Sequence, residues 1–254
     1  MTDLFDLSGR RALITGSSQG IGFSLSEGLA AAGATVLING RDPAKVAAAV
    51  SQLTAKGREA IEVPFDVTDP LAVDAAITAT EFRHGSIDIL INNAGIQRRC
   101  PLQDFSYETW RELMTTNIDS IFLVSQAVAR KMIPRGRGKI INIASLQSEV
   151  ARPAIAPYTA SKGAVKNLTK GMCADWAQYG IQVNAIGPGY FETPMNKALV
   201  EDPVFDTWLR KRTPAGRWGK VEELQGAAIF LSSRASDFIN GQTIYVDGGV
   251  LAVL

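Results

Sequence analysis

Histidine and cysteine are the scarcest chemically active residues here: the 254-residue chain has one histidine, His84, and two cysteines, Cys100 and Cys173. Two cysteines are too few for a disulfide framework, and these two lack the spacing of metal ligands. A single histidine argues against a histidine-based metal site and against a Ser-His-Asp hydrolase. We therefore expect a protein of a reducing compartment whose chemistry needs no metal.

Charge of one sign and long apolar runs are also lacking. The 26 Lys+Arg residues nearly balance the 25 Asp+Glu residues, and the net charge is +1. Without a basic excess, neither nucleic acid nor an anionic membrane is expected as a partner. No stretch approaches the ~20 apolar residues of a spanning helix, and the acidic start, Met1 to Asp6, has neither the basic nor the apolar region of a secretory signal. The sequence predicts a cytoplasmic globular protein.

What the chain does contain is a regular alternation of short apolar runs with longer helical patterns. Strands that are apolar on both faces and alternate with helices indicate a parallel sheet covered on each side. Right-handed crossovers then give an α/β fold, a Rossmann-type doubly wound sheet of about seven strands, in a single domain over 1–254. The predicted strands are 11–15, 35–39, 60–65, 87–92, 139–144, 182–186 and 243–246. The predicted helices are 21–32, one opening at 42–43, one from 69–70 to 83, 107–133 and 158–179.

Residues 190–218 interrupt this alternation with a connection longer than usual. The segment carries Phe191, Phe205, Trp208 and Trp218 among several basic residues. Loops at the carboxyl ends of strands hold ligands in this architecture, so a substrate lid is the preferred interpretation. A plain surface excursion is the alternative.

A glycine-rich segment, 15–22, follows the first predicted strand and precedes the first helix. Glycines there permit a tight turn, and the helix N-terminus offers free N–H groups to a pyrophosphate. The Gly-x-x-x-Gly-x-Gly spacing differs from the commoner Gly-x-Gly-x-x-Gly, but its place in the strand order favours dinucleotide binding over simple packing. The residues expected to contact the cofactor here are Gly16, Ser18, Gln19, Gly20, Ile21 and Gly22.

The end of the second strand should distinguish the two nicotinamide cofactors. An acidic residue there would bind the adenosine ribose and repel a 2′-phosphate, but the segment reads Asn-Gly-Arg-Asp over 39–42. The Arg41 guanidinium favours NADP over NAD, whereas Asp42 is predicted to cap the next helix. A solvated surface arginine is the alternative for Arg41. Further cofactor contacts are expected from Asp66, Val67, Asn93, Ala94 and Gly95.

Tyr158 and Lys162 lie four residues apart and therefore on one helix face. A free tyrosine has a pKa near 10, and a nearby cation lowers it. Lys162 together with a cationic nicotinamide is expected to make Tyr158 a general acid/base for an alcohol. Ser145, just past the preceding strand, would reach the same sheet edge and stabilise the reacting oxygen.

Together, Thr15-Gly16-x-x-x-Gly20-Ile21-Gly22, Asn92-Asn93-Ala94-Gly95, Ser145, Tyr158-x-x-x-Lys162 and Pro188-Gly189 resemble the short-chain dehydrogenase/reductase family over the whole chain. The resemblance implies an NAD(P)-dependent oxidoreductase whose Asn117 holds a water for a proton relay to Lys162. It implies that Thr193, after Pro188 and Gly189, helps to seat the nicotinamide carboxamide, and that Lys162 also binds the nicotinamide ribose. It implies a homotetramer formed through helices near 107–133 and 158–179.

A narrower resemblance, to members of the family that act on sugar acids, lies in segments 93–99, 145–153 and 213–218. It implies a small-molecule sugar-acid substrate. Arg98 or Arg99 would bind the carboxylate, Gln147 and Glu149 the hydroxyls, and Ser145 and Tyr158 the reacting group. The arginines are alternatively a solvated loop or a subunit contact, and Glu149 with Arg152 alternatively forms a structural ion pair.

Two rival functions are kept. One is the same chemistry on another carbonyl, such as a different sugar acid or a 3-oxoacyl substrate, against which the polar residues 147–149 argue. The other is a non-catalytic nucleotide sensor, which would not need Ser145, Tyr158 and Lys162. Near Asp247 a turn is the preferred interpretation and a metal site a minor alternative.

Overall fold

Seven parallel strands form one sheet within residues 3–254, the part of the chain that the computed structural model describes. The first two residues of the acidic start therefore lie outside the described residues. The order across the sheet is β3-β2-β1-β4-β5-β6-β7. The strands are β1 Arg11–Ile14, β2 Thr35–Ile38, β3 Ala60–Glu62, β4 Ile89–Asn92, β5 Gly138–Ile143, β6 Ile181–Pro188 and β7 Thr243–Val246. The predicted doubly wound fold is confirmed.

Helices cover both faces of the sheet because the strands are apolar on both sides. The helices are α1 Gly20–Ala31, α2 Pro43–Ala55, α3 Pro70–His84, α4 Tyr107–Met114, α5 Ser120–Met132, α6 Ala156–Trp176, α7 Lys197–Val200, α8 Pro203–Arg212 and α9 Gln225–Ser232. One buried cluster joins the sheet to α1, α2 and α9, and a second joins it to α3, α5 and α6. No helix of the described residues combines the length and the apolar character needed to span a membrane.

The caps of the helices follow the sequence signals. Asp42 and Asp69 accept hydrogen bonds from the first backbone N–H groups of α2 and α3, each with proline at the first helical position. Gly180 ends the turn after α6 in the left-handed conformation, with φ of 72°.

Two predicted elements differ most from the structure. The long helix predicted over 107–133 is divided into α4 and α5 by a π-helical turn, Thr115–Asp119. The third strand ends at Glu62, before the predicted 65; beyond it, the Asn39 Nδ2 donates to the carbonyl oxygens of Val63 and Phe65 at 3.1 Å each and holds the chain there.

The order of the strands places the site. It reverses between β1 and β4, whose paired residues include Ala12 and Ile89. At such a switch point the connections leave in opposite directions, and a crevice opens at the carboxyl ends of the strands.

Candidate active site

The glycine-rich loop turns sharply between β1 and α1. Gly16 and Gly20 both have φ of +61°, which side-chain-bearing residues rarely adopt. A Cβ on Gly22 would lie 2.5 Å from the Asn93 Nδ2. Gln19 precedes α1 and its side chain makes no capping bond, so the first N–H groups of the helix stay available for an anion.

The loop is fastened to the end of β4. The Thr15 Oγ1 accepts bonds from the backbone N–H groups of Asn93 and Ala94 at 2.9 and 3.0 Å. In return, the Asn93 Nδ2 donates to the carbonyl oxygens of Thr15 and Gly16 at 2.9 and 3.0 Å. These four hydrogen bonds join the glycine-rich loop to the end of β4, two segments that the sequence predicted to contact the cofactor.

Asn39 is a structural residue of the site that sequence reasoning missed. It is buried, its Oδ1 accepts from the Gly16 N–H at 3.2 Å, and its Nδ2 holds the chain after β3. The available signal was a polar residue ending an otherwise apolar strand. Asn39 lines the cavity, and both ends of its amide are hydrogen-bonded to the protein.

Arg41, by contrast, points into solvent at the rim of the cavity. Its side chain is 73% exposed, and its Nη1 lies 4.0 Å from the Asp66 carboxylate. Asp66 is itself held by the Thr68 N–H and hydroxyl at 2.8 and 2.7 Å. The pair leaves most of the guanidinium free, which suits a phosphate ligand.

The predicted chemical groups meet at the carboxyl edge of the sheet. Ser145 follows β5 and hydrogen-bonds Tyr158, which lies in the first turn of α6. The Lys162 Nζ donates to the Ile143 carbonyl oxygen at 2.7 Å and lies 5.7 Å from the centre of the Tyr158 ring. The structure thus brings together the three side chains that the sequence predicted at one site.

Burial controls the pKa values of these groups. It raises the pKa of Tyr158, and the bond from Ser145 opposes that shift. It also lowers the pKa of Lys162 to about 8. The lowered tyrosine pKa expected from the sequence is therefore absent from the protein alone. Desolvation outweighs the bond from Ser145 and the charge of Arg99, and the Lys162 ammonium donates to Ile143 instead.

Asn117 lies in the π-helical turn and is fully buried. Its Oδ1 accepts from the Ile96 N–H at 2.8 Å, and its Nδ2 donates to the Ile96 carbonyl and the Ser161 hydroxyl at 3.0 and 3.1 Å. The side chain thus fixes the loop after β4 against α6. Its implied part in a water relay stays a prediction.

One cavity of about 380 Å³ connects the glycine-rich loop to Ser145, Tyr158 and Lys162. The expected cofactor residues that line it are Gly16, Ser18, Gln19, Gly20, Ile21, Arg41, Asp66, Val67, Asn93, Ala94, Gly95, Tyr158, Lys162, Pro188, Gly189 and Thr193. Gly22 is not among the lining residues, since it packs beneath the loop against Asn93.

The substrate candidates separate into two groups. Arg99, Gln147, Ser145 and Tyr158 line the cavity. Arg98 instead forms an exposed ion pair with Glu112 at 2.8 Å, so its charge is already matched on the surface.

Glu149 also lies away from the cavity. It pairs with Lys166 and accepts a bond from the Tyr245 hydroxyl at 2.5 Å. The alternative ion pair of Glu149 with Arg152 does not form. Arg152 lines the cavity, as do Tyr190 and Asn196, none of which was chosen from the sequence.

Residues 190–218 form a small helical unit over the cavity. Its aromatic rings meet edge-on, with the Tyr190 ring 5.6, 6.2 and 5.9 Å from those of Phe205, Trp208 and Trp218. The Trp218 Nε1 donates to Asp206 at 2.7 Å. This packing gives the segment a small aromatic core of its own.

No cluster of metal-binding side chains occurs among residues 3–254. Both Asp247 carboxylate oxygens accept backbone N–H bonds, from Gly249 and Leu251, at 2.8 Å each. The carboxylate therefore serves the turn that was preferred from the sequence.

Comparisons with known proteins agree with this geometry. The family model described as Enoyl-(Acyl carrier protein) reductase matches residues 16–251. The chain is 61% identical to gluconate 5-dehydrogenase of Gluconobacter oxydans strain 621H over 99% of this chain and 98% of that protein. It is 54% identical to 5-keto-D-gluconate 5-reductase of Escherichia coli K12 over the full length of both. The crystal structure of a gluconate 5-dehydrogenase from Burkholderia cenocepacia J2315 in complex with NADP and tartrate superposes with a TM-score of 0.97, at 60% identity and 99% coverage of each chain.

Proposed function

The chain belongs to the short-chain dehydrogenase/reductase family of oxidoreductases, and from that premise we propose that it interconverts D-gluconate and 5-dehydro-D-gluconate with NADP. One observation carries the proposal: a single cavity joins the glycine-rich loop to Ser145, Tyr158 and Lys162. Both named relatives act at the fifth carbon of this sugar acid, as their names state. The proposed catalytic side chains and the proposed dinucleotide-binding loop therefore line the same cavity.

The residues present fit the cofactor. The turn at Gly16 and Gly20 leaves no Cβ atoms against a pyrophosphate, and the uncapped start of α1 supplies N–H donors. When bound, NADP supplies the carbon that accepts or gives the hydride. Pro188, Gly189 and Thr193 line the same cavity and are proposed to hold the nicotinamide end.

Tyr158 is proposed to move the proton. Its raised pKa keeps the phenol protonated at neutral pH, which is the form that gives a proton to the carbonyl oxygen in reduction. Ser145 stabilises the charge on that oxygen by a hydrogen bond. Charged Lys162 favours the phenolate left behind, so the oxidative direction depends on Lys162 in its ammonium form.

Arg41 is proposed to select NADP. Replacing it by alanine removes a charge-assisted contact to the 2′-phosphate, which NADH does not have. We expect Arg41→Ala to lower kcat/KM for NADPH by roughly tenfold or more and to leave the value for NADH nearly unchanged. An equal effect on both cofactors, measured by steady-state kinetics, would contradict this role.

The assignment of a sugar acid as substrate is supported by the polar residues of the cavity as well as by the names of the relatives. Arg99, Arg152, Gln147 and Asn196 line it, and a long acyl chain would leave these groups without partners. The test is the formation of NADPH from NADP with a panel of sugar acids. D-Gluconate should give the highest kcat/KM of the panel, and a 3-oxoacyl thioester reduced more efficiently than 5-dehydro-D-gluconate would overturn the assignment.

We also propose a homotetramer and a substrate lid. Apolar Phe122 on α5 is 48% exposed, and Tyr107 at the start of α4 is 74% exposed, on the helices expected to pair subunits. Residues 190–218, with their aromatic packing above the cavity, are proposed to close over the substrate.

A further inference from the structure

Two arginines face the cavity without an acidic partner. Arg99 follows β4, and Arg152 lies on the loop before α6. Within residues 3–254, no carboxylate oxygen lies within 4.0 Å of either guanidinium; the nearby Arg98, by contrast, is paired. Arg99 meets only amide oxygens, those of Gln97 and Asn196, each at 3.5 Å. Burial, with Arg152 as the second cause, lowers the pKa of Arg99, as expected for two cations sharing a pocket.

The backbone fixes this pair of like charges in place. The Cys100 N–H donates to the Ala154 carbonyl oxygen at 3.0 Å, which ties the two arginine loops together. Ala154 has φ of 66°, in the left-handed region. Such backbone strain persists where surrounding contacts impose it, and it is concentrated at ligand sites.

Arg152 is also held by the lid. Its guanidinium carbon lies 5.3 Å from the centre of the Phe205 ring, and its side chain hydrogen-bonds the Tyr190 phenol. These contacts orient the guanidinium but do not neutralise it. An anion is the ligand that would complete the site.

Gln147 lines the same cavity and has a side-chain oxygen without a hydrogen-bond donor in the part of the chain that the structure describes. The residue is 6% exposed, and its Nε2 lies 3.5 Å from the Tyr190 hydroxyl oxygen. Its Oε1 is buried and accepts no hydrogen bond from the described residues. A buried carbonyl oxygen without a donor is costly, and a hydroxyl group of a ligand would satisfy it.

We propose that Arg152 and Arg99 together bind the substrate carboxylate, that the Gln147 Oε1 accepts a bond from a substrate hydroxyl, and that this pairing sets which carbon faces Tyr158. This inference rests on the proposed function, since it places the carboxylate at the arginines and the reacting carbon at Ser145 and Tyr158. Arg152 thereby becomes a specificity residue. Phe205 of the lid is a positioning residue that acts through it.

The first test asks whether the arginines recognise the charge of the substrate carboxylate or only the shape of the substrate. Reduction of 5-dehydro-D-gluconate is compared with reduction of the uncharged ketohexose that carries a hydroxymethyl group in place of the carboxylate. Arg152→Ala should raise KM for the acid roughly tenfold or more, since a charge-assisted contact is lost, and should change KM for the neutral ketose little. Arg152→Lys should recover part of the loss, and Arg99→Ala should follow the same pattern with a smaller effect because it is more exposed.

Two further variants complete this test. Gln147→Leu should raise KM for both substrates, because both carry the hydroxyl. Arg83→Ala, an exposed arginine at the end of α3, is the matched control and should change neither. Equal changes for the acid and the neutral ketose in Arg152→Ala, or no change at all, would overturn the carboxylate site.

The second test does not depend on turnover. Binding of tartrate, a hydroxy dicarboxylate, is measured by calorimetry on the NADP-saturated wild type and on Arg152→Ala. Tartrate binding that is weakened about tenfold by Arg152→Ala supports the carboxylate site even if gluconate is not a substrate. Unchanged tartrate affinity in the variant overturns the site, even if gluconate proves to be the substrate.

Discussion

At Lys162, burial disfavours the ammonium charge that the proposed mechanism uses. The side chain is 5% exposed and donates to the Ile143 carbonyl oxygen at 2.7 Å. Its pKa falls from 10.5 to about 8, so at neutral pH the fold pays a free-energy cost on the order of 3 kcal/mol to keep the ammonium buried. The proposed chemical role of Lys162 would thus come with a loss of stability.

Lys162→Met should therefore stabilise the protein below pH 8. There, the lysine is protonated in both the folded and the unfolded chain, and the full cost of burial is present. Between pH 8 and 10.5 the folded protein loses the proton first, so wild-type stability rises relative to the variant and the gain shrinks. Denaturant unfolding of both proteins at pH 7 and pH 10 measures the difference; a gain that grows with pH would show the sign to be wrong.

Tyr158→Phe removes only the hydroxyl that is proposed to transfer the proton. Turnover should fall by at least ~10² to 10⁴-fold, while NADPH affinity, measured by fluorescence titration, should stay near the wild-type value. Ser145→Ala should lower kcat as well, by a smaller factor, because only one hydrogen bond to the reacting oxygen is lost. Substantial turnover by the phenylalanine variant would remove Tyr158 from its proposed role.

The residues of the site differ in how well the sequence predicts them. Tyr158, Lys162 and Ser145 follow from helix spacing and from the shared edge of a parallel sheet, both of which are local rules. Adjacent arginines 98 and 99 look alike in the sequence, and only the partner across space, Glu112, separates them. The same holds for Arg152, whose charge proved to be unmatched because Glu149 pairs with Lys166.

Among the elements, the loop from 149 to 155 stores the clearest strain. Ala154 has φ of 66°, and among the residues described it is the only non-glycine with positive φ. The left-handed conformation costs an alanine roughly 1 kcal/mol. The loop accepts that cost while presenting Arg152 to the cavity.

Ala154→Gly should relieve this strain. We expect a stabilisation of about 1 kcal/mol, or a Tm increase of roughly 2–4 °C. As the control, Ala160→Gly lies on the exposed side of α6 and should destabilise by a similar amount. Calorimetry of both variants decides the point, and a lower Tm for Ala154→Gly would mean that the loop geometry is not strained.

The elements also show where periodicity is insufficient. The strands and the starts of α2 and α3 follow from apolar runs and Asp-Pro pairs. The break between α4 and α5 does not, because it arises where Asn117 bonds Ile96 and Ser161, contacts distant in sequence. The helical content of 190–218 was missed for a similar reason, since its core joins Phe205 and Trp208 of α8 to the rings of Tyr190 and Trp218, which lie outside that helix.

At the scale of the whole molecule, exposed apolar groups on α4 and α5 bear on assembly. The proposed tetramer would cover Phe122, which is 48% exposed in one chain. Wild-type protein should have four times the monomer mass by light scattering, and Phe122→Asp should shift it toward smaller species. Val204→Asp, an exposed apolar position on the lid helix α8, is the control and should leave the mass unchanged. A monomeric wild type would contradict the proposed assembly.

The whole account depends on which carbon of the sugar acid is oxidised. The most direct measurement is NMR identification of the product formed from D-gluconate and NADP by the wild-type enzyme, with Tyr158→Phe as the blank. The account predicts 5-dehydro-D-gluconate, one NADPH per molecule of product, and at most a trace of product with the variant in the same time. A ketone at another carbon, or no NADPH from D-gluconate, would contradict it.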